Sequence, residues 1–439
     1  MRNICLILFV AMSAAMTRGE DWPQWRGPLF TGASPERNLP SEWSKTNQVA
    51  WSYDLPGPSA ATPVVWDNHV FVPSTDLEKQ TLVALALDRA TGKQLWQDKT
   101  GNEVRHDRQS TYSSSSPVTD GQRVIFFFST GDLVAFDFAG HRLWARNIQT
   151  DYGTFAFQWT FSSSPLLFEG KLYLEVLQRN EPVRGRGRAG GPIDSYLLAM
   201  DPASGKTLWQ QVRPSEAVAE SHEAYSTPIP FVYDGRKELL VVGGDCLTGH
   251  DPATGKELWR WGTWNAARIG HWRMVPSPVA GDGIILACAP KGSPVYGIKA
   301  GLSGGLGDDA IAWKTDRQGA VSADVPTPLF YQGDFFILND LRKNLSRLEA
   351  RTGRVKWTVP TPGQAKYEAS PAGGDGKIYL QNFKGETTVV DAENGTVLRT
   401  IPMGEEGDDM TRSSIAISHE QLFIRTNHKL FCVGKSGGQ

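Results

Sequence analysis

Short polar and aromatic segments carry the residues best suited to bind another molecule. Seven of these segments end at a Ser-Pro or Thr-Pro pair, and the eighth ends at a degenerate copy of it, Ser413-Ser414-Ile415. They combine imidazole, carboxylate, guanidinium and indole groups, the usual composition of a polar and aromatic recognition site. We interpret eleven of them as candidate ligand-binding residues: Trp159, His222, Glu223, Arg268, His271, Trp272, Arg273, Asp324, Lys366, Glu368 and Arg412. The alternative is that they are solvated loop residues that pair across a channel. Glu223 and Glu368 could also serve acid/base chemistry if the fold brings them together, but the sequence identifies no catalytic residue.

The cysteines show no metal-binding pattern. Cys246, Cys288 and Cys432 are far apart in the chain and have neither a C-x-x-C spacing nor a nearby histidine at ligand spacing. We therefore predict no metal site, and we expect three buried small side chains with at most one disulfide.

Two glycine-rich stretches need separate interpretation. Arg184, Arg186 and Arg188 alternate with glycines, which favours a flexible, solvated hairpin insertion over a loop that embraces an anionic partner. Residues 301–307 lack the Gly-Lys-Ser/Thr ending of a phosphate-binding loop, so we expect an extended turn there.

An internal repeat indicates which elements must position these residues. The pattern A-x-D-x-x-T-G-K-x-x-W occupies residues 86–96 and returns at 199–209, with shorter or weaker copies at 137–144, 251–259, 349–357 and 391–399. We predict that the tryptophans in register with it are structural, each packing against the repeat glycine of the neighbouring unit. They are Trp51, Trp96, Trp144, Trp209, Trp259, Trp313 and Trp357.

A second repeated feature, the Ser/Thr-Pro pair, is here called a mark. It recurs along the chain in step with the first pattern, at a period of about 40 to 65 residues. Short alternating runs of β-branched and aromatic residues lie between the marks, so each unit predicts four antiparallel strands. Eight units predict an all-β fold, an eight-bladed β-propeller. The last unit lacks its fourth strand, and residues 48–53 have the missing pattern, so the N-terminal strand should complete the last blade and close the ring.

The strand order also predicts where the candidate residues meet. Each segment that leads from the outermost strand of one blade to the innermost strand of the next ends near the ring axis, always on the same side. Residues just before each Ser/Thr-Pro pair should therefore converge on a central funnel.

Composition excludes several classes. The 45 basic residues are balanced by 47 acidic ones, so there is no basic footprint for nucleic acid. The 45 glycines and 27 prolines leave little room for a helical bundle. Residues 1–19 are typical of an export signal, and no later apolar window is long enough to span a membrane. We predict a monomer exported to the periplasm or secreted, with an N-terminal extension at 20–42, the propeller at 43–433 and a tail at 434–439.

The repeat resembles the tryptophan-docking motif of quinoprotein alcohol dehydrogenase-like propellers, the pyrroloquinoline quinone (PQQ) repeat family. The resemblance covers essentially all of residues 43–433, and residues 21–28, Asp-Trp-Pro-Gln-Trp-Arg-Gly-Pro, look like the opening of many secreted bacterial members. The same scaffold serves PQQ-dependent dehydrogenases, a lipoprotein of outer-membrane protein assembly, and sensor domains of receptor kinases. The fold alone therefore does not decide function.

Departures from the dehydrogenases favour a binding role. Many of those enzymes have an adjacent Cys-Cys pair and insertions that build the quinone pocket, whereas no two cysteines are neighbours here and no calcium-ligand motif matches. The assembly lipoprotein is closer in length, although its lipid-bearing cysteine is missing. We predict a binding or scaffolding module, not an enzyme, with an unknown protein or small-molecule ligand at the funnel. The alternative is a PQQ- and calcium-dependent alcohol or sugar dehydrogenase, with Arg268, Arg273, Lys366 and Arg412 as cations and Trp159 or Trp272 as a stacking surface.

Overall fold

A computed structural model of the protein describes residues 20–105 and 107–435. The predicted export signal at 1–19 and the last four residues of the predicted tail lie outside the described residues.

Nearly all the regular secondary structure of the described chain is β-strand. The first half contains β1 (Val49–Asp54), β2 (Val64–Trp66), β3 (His69–Asp76), β4 (Thr81–Asp88), β5 (Gln94–Gly101), β6 (Val118–Thr119), β7 (Arg123–Phe127), β8 (Asp132–Asp137), β9 (Arg142–Asn147), β10 (Leu166–Phe168), β11 (Lys171–Val176), β12 (Tyr196–Met200), β13 (Thr207–Val212), β14 (Ile229–Tyr233), β15 (Arg236–Gly243), β16 (Cys246–His250) and β17 (Glu257–Trp261). The second half contains β18 (Val279–Gly281), β19 (Ile284–Cys288), β20 (Val295–Lys299), β21 (Gly304–Leu306), β22 (Ile311–Lys314), β23 (Leu329–Tyr331), β24 (Asp334–Asn339), β25 (Asn344–Glu349), β26 (Val355–Pro360), β27 (Ala372–Gly374), β28 (Lys377–Gln381), β29 (Glu386–Asp391), β30 (Val397–Pro402), β31 (Ala416–Ser418), β32 (Gln421–Arg425) and β33 (Lys429–Val433).

Helical structure is limited to short segments. They are the α-helix α1 (Ile148–Tyr152) and the 3₁₀ turns Ala219–His222, Thr263–Asn265 and Asp308–Ala310. Within residues 20–105 and 107–435, no helix has the length and hydrophobicity needed to cross a bilayer.

The strands form eight sheets, which confirms the predicted eight-bladed propeller. Blade 1 has the order β2-β3-β4-β5, and the next six blades follow in the same way along the chain. Blade 8 consists of β31, β32, β33 and β1, with Trp51 opposite Cys432 and Tyr53 opposite Leu430. The N-terminal strand therefore closes the ring as predicted, and it covers the edge that blade 8 would otherwise expose.

Burial explains the two kinds of strand pattern. The middle strand β4 is buried along seven of its eight residues because blades lie against both of its faces. The outermost strand β5 lies at the rim, and its residues are exposed or half-buried. Cys246, Cys288 and Cys432 are buried free thiols, so the structure contains none of the disulfides these three could form.

Six of the seven in-register tryptophans lie against the glycine of the next blade. A Cβ on Gly92, whose φ is 70°, would lie 2.5 Å from the Trp51 ring, and Trp51 Nε1 donates to the Arg89 carbonyl at 2.7 Å. The same arrangement joins Trp96 to Gly140, Trp144 to Gly205, Trp209 to Gly255, Trp313 to Gly353 and Trp357 to Gly395.

Trp259 departs from the predicted packing because blade 5 has lost the turn on which it would dock. Residues 301–307 do not form the expected extended turn. They include β21, which pairs in parallel with β17 and adds a fifth strand to blade 4. Trp259 instead turns into its own blade, where its indole N–H donates to Glu238 Oε2 at 2.7 Å.

The Ser/Thr-Pro marks form a belt around the axis. The backbone N–H of each marked Ser or Thr donates to the hydroxyl oxygen of the marked residue in the next blade, over 2.8–3.1 Å. Seven belt residues precede a proline, namely Thr62, Ser116, Ser164, Thr227, Ser277, Thr327 and Ser370, and the eighth is Ser414, which precedes Ile415. Since the following proline cannot donate a hydrogen bond, the marked residue supplies the last N–H before the innermost strand. At the closure the chain of bonds changes, and Ser413 Oγ donates to the Ala61 carbonyl at 2.8 Å.

Residues 20–42, here called the N-terminal strap, cross the ring at the other end of the innermost strands. Among the blade residues that form hydrogen bonds with the strap, five are each the third residue after their belt residue, at the same depth along the axis. They are Val65, Thr119, Leu167, Phe330 and Gly373. The strap therefore covers the end of the axial channel opposite the predicted funnel.

Candidate functional site

A pocket with an empty volume of about 890 Å³ lies on the ring axis, on the funnel side of the belt. All eight blades contribute to its wall. The belt itself forms the lower tier through Ser116, Ser164, Thr227, Thr327, Ser370 and Ser414.

A second tier of side chains lies next to the belt, on the side toward the funnel. Side chains two positions apart on extended backbone point in the same direction. Accordingly, the residue two positions before every belt residue also lines the pocket, one from each blade: Ala60, Ser114, Ser162, Tyr225, Val275, Val325, Glu368 and Arg412. The wall is thus organised by the repeat, although its side chains differ.

The upper tier has three chemically different arcs. Blades 1 to 3 contribute small residues, and the next three blades contribute the apolar or aromatic side chains of Tyr225, Val275 and Val325. The last two blades contribute Glu368 and Arg412, whose carboxylate and guanidinium pair at 2.7 Å. A ligand bound here would contact an apolar side and a charged side at once.

Trp159 lines the pocket from a segment that is bonded on several sides. Its backbone N–H donates to the Tyr225 hydroxyl at 3.2 Å, and its carbonyl accepts a bond from Arg186 at 3.1 Å. The Arg184 guanidinium lies 5.2 Å from the centre of its ring. The arginine-rich insertion, expected to be solvated, is therefore packed against the wall at Arg184 and Arg186.

Glu223 supports this wall from behind and does not face the pocket. Its side chain is completely buried and accepts bonds from Arg179 Nε at 2.6 Å, from the Tyr225 hydroxyl at 2.6 Å and from the Gln158 N–H at 3.0 Å. Burial raises the pKa of Glu223, and the hydrogen bonds from Tyr225, Gln158 and Arg179 oppose that rise. Burial next to Glu223 also raises the pKa of Tyr225.

The cationic groups at the upper wall are held by acids. Lys366 Nζ lies 3.2 Å from Glu368, which also binds Arg412, and the Arg412 guanidinium lies 4.8 Å from the ring centre of Phe383. Arg273 forms a single longer contact, 3.3 Å to Glu220. Its other N–H groups have no bond to any acceptor in the described part of the chain.

Four of the eleven predicted residues line the pocket: Trp159, Arg273, Glu368 and Arg412. Lys366 and Glu223 lie behind the wall as described. Since Glu223 faces Arg179 and Glu368 faces Arg412, the structure does not bring the two acids together as an acid/base pair.

The other five predicted residues lie outside the pocket. His222 is buried in a 3₁₀ turn, where burial and the charge of Arg179 lower its pKa. Arg268 pairs with Glu216 in an outer cleft, and His271 is exposed. The remaining two are Trp272, 8% exposed and packed in the core with blade 4 and blade 5 residues, and Asp324, which accepts the Lys291 N–H at 2.7 Å.

Sequence reasoning missed the floor of the pocket and most of its upper tier. Trp25 of the N-terminal strap lines the pocket from below. The upper tier could have been found by applying the period-2 rule backwards from each Ser/Thr-Pro pair. Nothing in the sequence around Trp25 indicates that it lies on the axis.

The belt supplies unengaged hydrogen-bond donors to the pocket. The six lining belt hydroxyls each accept a backbone N–H, and none donates its own O–H to an acceptor in residues 20–105 or 107–435. Glu368 is the one carboxylate among the described lining residues, and both its oxygens are engaged by cations. The site is therefore suited to a ligand rich in acceptors.

The pocket fits one part of a calcium-bound PQQ better than the other. Arg273, Arg412 and the belt hydroxyls could bind carboxylates, and Trp25 or Trp159 could contact a planar ring. The described residues contain no group of three or more His, Cys, Asp or Glu side chains able to hold a metal ion. The donor set thus matches the acid groups of the quinone, and the described side chains do not form a carboxylate cage for calcium.

Comparisons with known proteins show similarity to two groups of proteins, BamB-type assembly factors and dehydrogenases. Residues 34–181, 193–292 and 305–439 match the family described as outer membrane protein assembly factor BamB. Polyvinylalcohol dehydrogenase from Pseudomonas sp is 27% identical over 202 residues, which are 44% of this chain and 29% of that enzyme. The chain thus spans less than a third of that relative.

Solved structures similar to this chain belong to the same two groups. BamB from Moraxella catarrhalis superposes with a TM-score of 0.57 at 12% identity, over 89% of this chain and 98% of BamB. Quinohemoprotein alcohol dehydrogenase from Comamonas testosteroni gives 0.61 at 15% identity, over 95% and 81% of the two chains. At these identities the structural likeness establishes the fold alone.

Proposed function

This chain belongs to the family described as outer membrane protein assembly factor BamB, and we propose that it is an exported binding module whose ligand site is the axial pocket. The ligand is a small, acceptor-rich anion that carries carboxylate or phosphate groups. The unengaged belt hydroxyls, together with the two guanidiniums that line the pocket, are the observation that carries this proposal.

The charges around the pocket support an anionic ligand. Arg412 is shared with Glu368, but Arg273 has only a 3.3 Å contact with an acid. Both guanidiniums are largely withdrawn from solvent, with side chains 13% and 17% exposed. Guanidinium groups in such surroundings form strong, often bidentate bonds to carboxylate and phosphate.

The rigidity of the wall supports binding as the task of this site. The belt ties the backbone of neighbouring blades together, and the bonds to the N–H and carbonyl of Trp159 hold that segment of the wall before any ligand arrives. A preorganised wall reduces the ordering cost of binding.

The test is calorimetric titration with citrate as an acyclic acidic probe and glycerol as a neutral one. We expect citrate to bind and glycerol not to bind. Arg273→Ala and Arg412→Ala should each weaken citrate binding about tenfold or more, since each removes a charged donor. Arg268→Ala is the matched control, because Arg268 lies in the outer cleft, and it should leave the affinity unchanged. Equal affinity of all four proteins, or no citrate binding at all, would contradict the proposal.

A PQQ-dependent dehydrogenase is the second candidate, favoured by the similarity to polyvinylalcohol dehydrogenase. PQQ supplies the capacity to accept electrons from an alcohol. In that case Arg273, Arg412 and the belt hydroxyls would hold its carboxylates. The decisive measurement is dye reduction with 1-butanol after incubation with PQQ and calcium. Robust turnover that is lost in Arg273→Ala would replace the binding module with the dehydrogenase. Competition between PQQ and citrate without turnover would support the binding module.

A further inference from the structure

The N-terminal strap is fixed to the propeller at Trp22 and Arg26, whose side chains are both buried. Trp22 exchanges backbone hydrogen bonds with Val65 at 2.9 Å, and its ring lies against Gly27, where a Cβ would approach it to 2.7 Å. Arg26 donates to the carbonyls of Pro328 and Pro371 at 2.8 and 2.9 Å. Those two prolines follow the belt residues of blades 6 and 7, so the strap is anchored next to the axis.

Trp25 lies between these two anchors and closes the pocket. Unlike Trp22 and Arg26 it is only half-buried, and it lines the axial pocket together with the belt. It is thus the one described lining residue that no blade supplies. The channel is therefore blind at this end, and a ligand would enter from the funnel.

Arg26 adds a positive charge directly beneath this floor. Its guanidinium lies 5.7 Å from the ring centre of Trp25 and donates only to carbonyl oxygens, with no carboxylate partner among the described residues. Burial lowers the pKa of Arg26 to about 9, which still leaves it charged at neutral pH. The floor thus combines an indole with a buried cation.

The upper tier adds a matching asymmetry. Tyr225, Val275 and Val325 present an apolar arc, and Arg412 with Glu368 presents the charged arc. A cyclic ligand with an apolar face and an acidic substituent would contact the indole and the apolar arc, and it would also accept bonds from the donors. A flexible acyclic acid would use only the donors.

We propose that Trp25 of the N-terminal strap is a ligand-contacting floor residue that selects a cyclic acid, of the class of sugar acids, over an acyclic one. This inference rests on the proposed function, since it assigns the ligand class of the same pocket. Trp25 contacts the flat face of the ring, and the guanidiniums and belt hydroxyls bind its carboxylate and hydroxyl groups.

The experiment compares D-glucuronate, citrate and D-glucose as probes by calorimetry. For the wild type we expect glucuronate to bind more tightly than citrate, and glucose to bind weakly or not at all. Trp25→Ala should weaken glucuronate binding about tenfold and change citrate binding less than twofold, and Trp25→Phe should recover most of the loss. Leu29→Ala, at an exposed position of the same strap, is the control and should bind both probes as the wild type does.

Melting curves of each variant show whether the strap stays in place. If Trp25→Ala unfolds, saturation-transfer NMR on the wild type replaces it, and the protons on one face of the glucuronate ring should receive stronger transfer than those on the other face. Equal binding of glucuronate by the wild type and a folded Trp25→Ala, with citrate still bound, would overturn the floor assignment alone. Failure of both acids to bind the wild type would overturn the proposed function as well.

Discussion

The rim of the ring and its axis are built from the same eight repeats, yet the repeats agree far more closely at the rim. At the rim one arrangement, the repeat tryptophan of one blade against the left-handed repeat glycine of the next blade, occurs six times. In the upper tier at the axis, eight equivalent positions hold six different residue types. At the rim the side chain itself sets the spacing of the blades, so its identity is retained. At the axis the backbone belt sets the spacing, which leaves the side chains one step above it free to differ and to bind.

The seam between blades 4 and 5 shows what happens when a rim element is lost. Trp259 has no neighbouring turn to dock on, and β21 adds an extra strand at that seam instead. The ring still closes, which indicates that the belt and the remaining contacts tolerate one irregular seam.

The largest loss of stability should come from removing the closing strand. Deleting residues 20–54 removes β1 and leaves β33 as an unpaired edge, so we expect loss of the cooperative unfolding transition and aggregation in gel filtration. Deleting only residues 20–42 keeps β1, and this shorter deletion should lower the melting temperature while preserving cooperativity. A normal melting curve for the longer deletion would show that the terminal strand does not hold the ring.

A docking tryptophan should matter more than its exposed neighbour. Trp96 contacts Phe71, Phe126 and Phe136 and donates to the Phe138 carbonyl at 3.0 Å. Trp96→Ala should therefore cost about 3 kcal/mol in the free energy of unfolding. Leu95→Ala, at a 47% exposed position, should cost less than about 0.5 kcal/mol. Denaturant titration measures both, and similar costs would contradict the rim model.

Glu175 tests whether the interior near the belt tolerates a charge. Burial raises its pKa to about 8, against weaker opposing effects of Ser226 and Arg213. Because the folded state holds this proton more tightly than the unfolded state, wild-type stability should fall as pH rises from about 4.5 through about 8. Glu175→Gln should lack this loss and gain on the order of 2 kcal/mol relative to wild type at pH 9. Exposed Glu169→Gln serves as the control, and parallel pH profiles for all three proteins would refute the burial argument.

The smallest effect on stability should come from the upper tier. Val325→Thr keeps the shape of a half-exposed side chain, so the free energy of unfolding should change by less than about 1 kcal/mol. The preference for glucuronate over citrate should fall a few-fold, since the apolar arc is interrupted. A large stability loss without any change in preference would mean that the tier serves the fold and not the ligand.

The sequence predicted which chain segments reach the site, but it did not predict which of their side chains face the pocket. Trp159, Glu368 and Arg412 lie within five residues of their belt residue and line the pocket. Trp272 lies equally close to its belt residue Ser277, but its N–H bonds to Ser221 Oγ at 2.8 Å and its ring is buried in the core. Counting along the chain therefore locates the segment, whereas tertiary contacts decide which way a side chain points.

The sequence by itself determined the number of blades, the closing strand and the positions of the rim tryptophans, because each follows from a repeated local pattern with one geometric meaning. Tertiary structure alone decided that the strap crosses the axis, that Trp25 is the floor and that Glu223 supports the wall. Arg26 reaches carbonyls 302 and 345 residues away in the chain. No periodic pattern encodes contacts between one unique segment and distant blades, so they depend on the assembled ring.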